Sequence, residues 1–180
     1  MRKIVLTGPE STGKTSLLIL LKERYKNALI CGEYARIFID ELDRDYVQND
    51  LVMIAKGQIN LEKTLGKEGK DFMICDTDLL TIKIWSEYKY GTCDKWILKH
   101  LEKSKPDFYF LCGIDVPWTY DPQREHPKER ERLFAIYELE LKKLNVPFMI
   151  LEGGKEERFL KAISQIDMLL DTLPNEFFKP

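Results

Sequence analysis

The chain has little of what staples small proteins together. Its 180 residues hold four cysteines and two histidines. Cys31, Cys75, Cys93 and Cys112 form no Cys-x-x-Cys pair, and only His100 and His126 could join them, so the ligands of a zinc site are missing. Disulfides are not needed either, because a chain this long buries roughly 70% of the surface that its unfolded form exposes. Cys31, Cys75 and Cys112 each end an apolar run and read as small core residues. Long apolar runs are also missing. Leu17 to Leu21 falls far short of the roughly 20 residues that cross a bilayer. The segment Met1 to Leu6 turns to Gly and Pro too soon for a secretory signal. Nor is there a surplus of charge: 28 basic against 30 acidic residues leave −2. Bulk positive charge therefore cannot hold this protein to nucleic acid, although a few placed groups can still bind a small anion. These absences predict a cytoplasmic protein with neither a membrane nor a nucleic-acid partner. They leave its oligomeric state open.

The residues present describe a folded domain, 44% hydrophobic and 32% charged. No internal repeat or low-complexity segment stands out. Short apolar segments at Lys3 to Thr7, Ala28 to Cys31, Phe72 to Cys75, Phe108 to Cys112 and Phe148 to Leu151 read as strands. Between them lie stretches with helical spacing: Gly13 to Tyr25, Tyr34 to Ile39, Asp50 to Lys67, Thr81 to Tyr90, Lys95 to Lys103, Lys128 to Leu144 and Glu156 to Leu170. Strand and helix in alternation predict an α/β fold, a five-stranded parallel sheet with helices on both faces. One domain spans 1–172, and the proline-bearing tail 173–180 is expected to be loosely attached. Ligands of such sheets bind at the carboxyl ends of the strands.

The first strand runs directly into Gly8-Pro9-Glu10-Ser11-Thr12-Gly13-Lys14-Thr15, which has the spacing Gly-x-x-x-x-Gly-Lys-Ser/Thr. Glycines let the backbone curl until successive N–H groups point at phosphate oxygens. The helix that follows adds its N-terminal N–H groups and positive dipole end. Lys14 is placed to reach the outer phosphates, and the Thr15 hydroxyl to ligand Mg²⁺. Gly8, Glu10, Ser11, Thr12, Gly13, Lys14, Thr15 and Ser16 are thus the expected ATP-binding residues. Such a site is local and mostly backbone, so a slightly acidic chain can hold ATP.

Other strand ends carry acids. Asp76-Thr77-Asp78 follows four apolar residues, the form of a strand whose acid holds Mg²⁺. Asp78 also suits a helix N-cap. Glu33 follows the second strand. Glu33 and Asp76 are rival bases for an acceptor hydroxyl, and the alternative for Glu33 is a helix-start acid. After the fourth strand, residues 115–127 hold Pro117, Pro122 and Pro127 and form a stiff non-helical excursion, and about 115–132 reads as a lid. Arg124 within it is expected to meet the transferring phosphoryl group, and Arg130 the nucleotide; Arg132 fits a solvated helix face. Trp85, Trp118, Tyr34 and Tyr120 are candidates to stack on a planar ring, with Trp118 favoured as a loop tryptophan, although most aromatics serve the core.

Taken in order, the phosphate loop, Glu33-Tyr34-Ala35-Arg36, Asp76-Thr77-Asp78, and Asp115-Val116-Pro117-Trp118 with Arg124 resemble the ribosylnicotinamide kinase domain of the NadR family and its stand-alone P-loop ATPase relatives. The resemblance runs from about Lys3 to Leu170. It implies a P-loop NTPase of the nucleoside and nucleotide kinase type, using ATP and Mg²⁺. The implied reaction phosphorylates the ribose 5′-hydroxyl of nicotinamide riboside, giving nicotinamide mononucleotide. By position it implies that Lys14, Thr15 and Asp76 serve phosphates and metal. Glu33, Tyr34, Arg36 and Asp78 would line the riboside side with Trp118, and Arg124 would act in the lid. The adenylyltransferase and DNA-binding modules of the fused proteins have no counterpart here, so repression is not expected. Fused members place an aromatic directly before Glu-Tyr, whereas this chain has Gly32. Another nucleoside or nucleotide as acceptor, or a regulatory ATPase without one, are the alternatives. A GTPase switch lacks its Asn-Lys-x-Asp motif.

Overall fold

The structure, a computed structural model, describes residues 1–126 and 128–171. The expected tail lies outside the described residues. Among the described residues there are five strands: β1 (Arg2–Thr7), β2 (Ala28–Cys31), β3 (Phe72–Asp76), β4 (Phe108–Cys112) and β5 (Phe148–Leu151). They form one sheet in the order β2-β3-β1-β4-β5, and every pairing is parallel. Between and after them the described residues form seven helices: α1 (Lys14–Arg24), α2 (Tyr34–Asp40), α3 (Gln48–Gly66), α4 (Leu79–Tyr90), α5 (Lys95–Lys103), α6 (Arg130–Leu144) and α7 (Lys155–Asp171).

The sheet is buried on both faces, which is why its strands show no polar alternation. Successive side chains point to opposite faces. Val5, Met73, Tyr109 and Leu111 go to a core shared with α3, α4, α5 and α6. Ile4, Leu6, Phe72, Ile74 and Phe110 go to a second core under α1 and α7. The central strand β1 is where the chain changes direction, leaving to one side for β2 and β3 and to the other for β4 and β5. A crevice opens at such a point beyond the strand ends.

Five helix starts differ by one or two residues from the spacing-based expectation, and side-chain caps explain two of them. α3 begins at Gln48, two residues before Asp50. The Asp50 carboxylate folds back to accept the Val47 N–H at 2.8 Å and so satisfies a donor that would otherwise be orphaned. α4 begins at Leu79 because Asp78 caps it, accepting the Leu80 N–H at 3.0 Å.

Candidate active site

The phosphate loop leaves β1 at Gly8, whose φ of +132° no L side chain adopts without strain. A Cβ there would also lie 2.9 Å from the Cys112 carbonyl oxygen, so the loop passes tightly over the end of β4. Lys14 folds into the loop. Its Nζ donates to Gly8 O at 2.9 Å, Pro9 O at 2.7 Å and Thr12 Oγ1 at 3.4 Å. Phosphate oxygens offered to the same ammonium compete for those donors.

Thr15 lies in the first turn of α1, and its hydroxyl donates to Asp76 Oδ2 at 2.8 Å. The register that places Leu6 beside Asp76 brings the end of β3 level with the loop. Asp76 is 3% exposed, and its Oδ1 is buried without a hydrogen-bond partner. A buried carboxylate oxygen left unpartnered beside a hydroxyl is the oxygen-rich donor set that Mg²⁺ takes, together with phosphate and water. Among the described residues no cluster of three acidic, histidine or cysteine side chains competes for a metal. Thr15 and Asp76 therefore fit Mg²⁺.

Glu33 ends the turn after β2 and is the residue before α2. Its carboxylate makes no hydrogen bond among the described residues and faces a cavity of about 140 Å³ bounded by the phosphate loop, Arg36, Thr77, Thr81, Trp85 and Arg124. Burial pushes its pKa up, the nearby Asp76 charge adds to this, and Lys14 and Arg36 oppose it. A second cavity of about 520 Å³ lies on the other side of the loop, among Gly13, Ser16, Val116, Tyr120, Arg124 and Lys155. Ser11, Gly13, Ser16 and Arg124 face both cavities.

The described residues between β4 and α6 are non-helical and fold back across the loop. Thr119 N donates to Ser11 Oγ at 2.8 Å. Glu10 accepts from the Trp118 indole at 3.2 Å and from the backbone N–H groups of Glu125 and His126 at 2.9 Å each. Arg36 pairs with Asp121 at 3.0 Å, and Gln123 donates to Arg36 O at 3.3 Å. Arg124 reaches Ser11 Oγ at 3.3 Å and also bonds Thr119 O.

Several residues expected at a ligand are placed in the scaffold instead. Asp78 is 1% exposed. Both its oxygens are taken, one by Leu80 N and the other by the Tyr109 hydroxyl at 2.6 Å. Burial pushes its carboxyl up, against the pull of Lys3. It is a cap and a core anchor, not the ligand-lining residue that the resemblance implies. Tyr34 lies over α3: a Cβ on Gly57 would meet its ring at 1.9 Å, and its N–H donates to Gln58 Oε1 at 2.9 Å. Arg130 is spent on carbonyls, donating to Ser11 O at 3.2 Å, Ile114 O at 3.1 Å and Val116 O at 2.9 Å. Burial lowers its pKa, and it lines neither cavity. Trp118 and Glu10 face each other, so Glu10 ties down the crossing segment; the Trp118 ring also makes a T-shaped contact with Tyr120 at 6.3 Å, and it lines neither cavity.

Arg158 gave no signal in the sequence, where it looks like one more charge on a mixed helix. It is 4% exposed and donates to Thr12 O at 2.7 Å, to Gly113 O and to Gly153 O, and it bonds Asp115. It ties the loop to the ends of β4 and β5. Gln123 was passed over because nothing local marks a loop glutamine.

Among solved structures, a NadR protein in complex with NR has a TM-score of 0.74 and 19% identity, covering 99% of this chain and 52% of that one. A NadR protein in complex with NAD and AMP-PNP has a TM-score of 0.71 and 20% identity, with the same coverage. Thymidylate kinase from Ehrlichia chaffeensis has a TM-score of 0.63 and 16% identity, covering 92% of this chain and 98% of that one. The chain thus spans about half the length of the NadR structures and nearly all of the thymidylate kinase. Among curated proteins nothing matches. These likenesses identify the P-loop kinase fold. Residues 3–158 match the family model described as an AAA domain, from within β1 into α7, and the chain belongs to that family.

Proposed function

We propose that this protein is an ATP-dependent kinase that phosphorylates a hydroxyl of a small nucleoside, with nicotinamide riboside as the leading acceptor. One observation carries this reading. The phosphate loop lies between two cavities, one of about 520 Å³ and one of about 140 Å³, and only the second is faced by an unpartnered carboxylate, that of Glu33. An ATPase with water as its only acceptor needs no second cavity.

The larger cavity suits the nucleoside part of ATP, with the triphosphate drawn along the loop. Lys14 then exchanges loop carbonyls for phosphate oxygens. Thr15 and Asp76 would hold Mg²⁺, which when bound neutralises charge on the phosphates. Asp76 is committed to Thr15, so Glu33 is the acid left to orient the acceptor hydroxyl and take its proton. Arg124, facing both cavities, is placed to meet charge on the phosphoryl group in transit. Residues 115–132 act as the lid and keep water from competing for that group.

Nicotinamide riboside heads the panel on two supports: the ordered set of four motifs, and the fold shared with a NadR protein in complex with NR. A different nucleoside is the second reading, favoured by Gly32. The end of β2 offers no ring there, and an added Cβ would meet nothing within 4 Å.

The test is to incubate the protein with Mg-ATP and nicotinamide riboside, uridine, cytidine, thymidine, adenosine or guanosine, following ADP and the phosphorylated product. Nicotinamide mononucleotide as preferred product supports the first reading, and turnover of another nucleoside alone supports the second. ADP release with no phosphorylated acceptor sinks both.

A further inference from the structure

The three tryptophans have different surroundings. Trp96 stacks on His100 with centroids 3.7 Å apart. Trp118 donates to Glu10. The Trp85 indole has neither a ring partner nor a hydrogen bond among the described residues. Part of it packs on the core beneath α4, and the rest faces two cavities. One is the acceptor-side cavity beside Glu33, where Trp85 is the sole aromatic ring among the described lining residues. The other, about 50 Å³, continues past it between Tyr46 and Tyr88.

Its distance along the helix also fits. Thr77 and Thr81 line the acceptor-side cavity near the phosphate loop, and Trp85 is four residues beyond Thr81. At about 1.5 Å of rise per residue, that is roughly 6 Å further out on the same helix face. This is about the separation between the reacting hydroxyl of a ribonucleoside and its base. The β2 side supplies no competing ring, since Gly32 has no side chain and the Tyr34 ring is packed on Gly57. Lys89 also lines the smaller cavity, its Nζ 3.8 Å from the Tyr46 ring centroid and 3.0 Å from Glu125 Oε1.

We infer that Trp85 is the platform on which the acceptor's base stacks, so that this site takes a nucleoside with a planar base and not a free sugar or polyol. The inference deepens the kinase reading and rests on it. Stacking is sequence-tolerant because every base has a π-face, so the platform selects for a ring and not for one particular ring.

The test compares wild type with Trp85→Leu and Trp85→Tyr, using the nucleoside panel and free ribose as acceptors. Trp85→Leu should raise the acceptor KM about tenfold or more, while the KM for ATP stays within about twofold. Trp85→Tyr keeps a ring and should recover most of the loss. Ribose should be turned over at least about a hundredfold less efficiently than the best nucleoside. Added nucleoside without ATP should quench wild-type tryptophan fluorescence, and this quench should vanish in Trp85→Tyr; that pair of measurements decides the matter if Trp85→Leu does not fold. An unchanged acceptor KM in Trp85→Leu, or a quench that persists in Trp85→Tyr, overturns the inference and leaves the kinase reading standing. A wild type that phosphorylates no nucleoside overturns both.

Discussion

Glu33 and Arg124 are the residues whose substitution separates chemistry from scaffold. Glu33→Gln should lower kcat by about a hundredfold or more, the usual worth of a positioned proton acceptor. It should also stabilise the protein at neutral pH. The folded-state pKa of Glu33 is raised, by burial first, so folding holds its proton more tightly than the unfolded chain does. Stability then falls as pH rises from the ordinary glutamate value through the folded one. Below about pH 4 the group is neutral in both states and the difference closes. Melting curves of the two proteins at pH 7 and below pH 4 check the sign; equal midpoints at both would remove the argument. Arg124→Ala should cost about a thousandfold in kcat. A loss under tenfold would leave Arg124 as a tether for Ser11 and Thr119. The rarity of its spacing makes the phosphate loop legible in sequence. Arg130 and Arg158 were misjudged or missed because a guanidinium bound to carbonyls looks, in sequence, the same as one bound to phosphate or to water.

At the scale of elements, α2 packs on α3 and brings Arg36 to the acceptor-side cavity. Gly57 lies within α3, where glycine costs about 1 kcal/mol relative to alanine. It is there because a Cβ would sit 1.9 Å from the Tyr34 ring. Gly57→Ala should therefore destabilise, overpacking by about 1–3 kcal/mol outweighing the helix gain. In a Tyr34→Ala background the same change should stabilise by about 1 kcal/mol. Denaturant unfolding of the four proteins in this cycle measures the sign change; destabilisation in both backgrounds would show that something other than Tyr34 fills the space. Helix α3 was legible from its apolar spacing, whereas the glycine gave only a weak local signal. The crossing segment was legible as a proline-bounded excursion. Its tethers to Glu10, Arg36 and Ser11 were not, since they join residues 85 to 116 positions apart.

For the whole molecule, two cavities on one loop predict linked binding. A non-hydrolysable ATP analogue with Mg²⁺ at about a hundred times its Kd should add ~2.7 kcal/mol to stability. In a domain of this size that is a rise in Tm of roughly 5–10 °C. The preferred nucleoside should add a further rise in the presence of the analogue. A thermal-shift titration reads both, and an analogue that leaves Tm unchanged at saturating concentration would remove the nucleotide site. Near-neutral net charge is no obstacle, because the site holds both signs side by side: Lys14 and Arg124 against Glu33 and Asp76.

The amino-acid sequence by itself determined five parallel strands, their helices and the phosphate loop. Each of these follows from local periodicity or from a spacing that a short backbone segment must satisfy. Only the tertiary structure decided which acids and rings face the cavities. Asp76, Asp78 and Glu33 all follow strands, yet one sits beside Thr15, one is sealed under Tyr109 and one is left unpartnered. Trp85 and Trp118 differ in the same way, one facing a cavity and the other tying down the crossing segment. The physical reason is that a side chain's role depends on which distant groups satisfy it. Parallel pairing brings those groups together from strands tens of residues apart, a distance over which sequence spacing carries no signal.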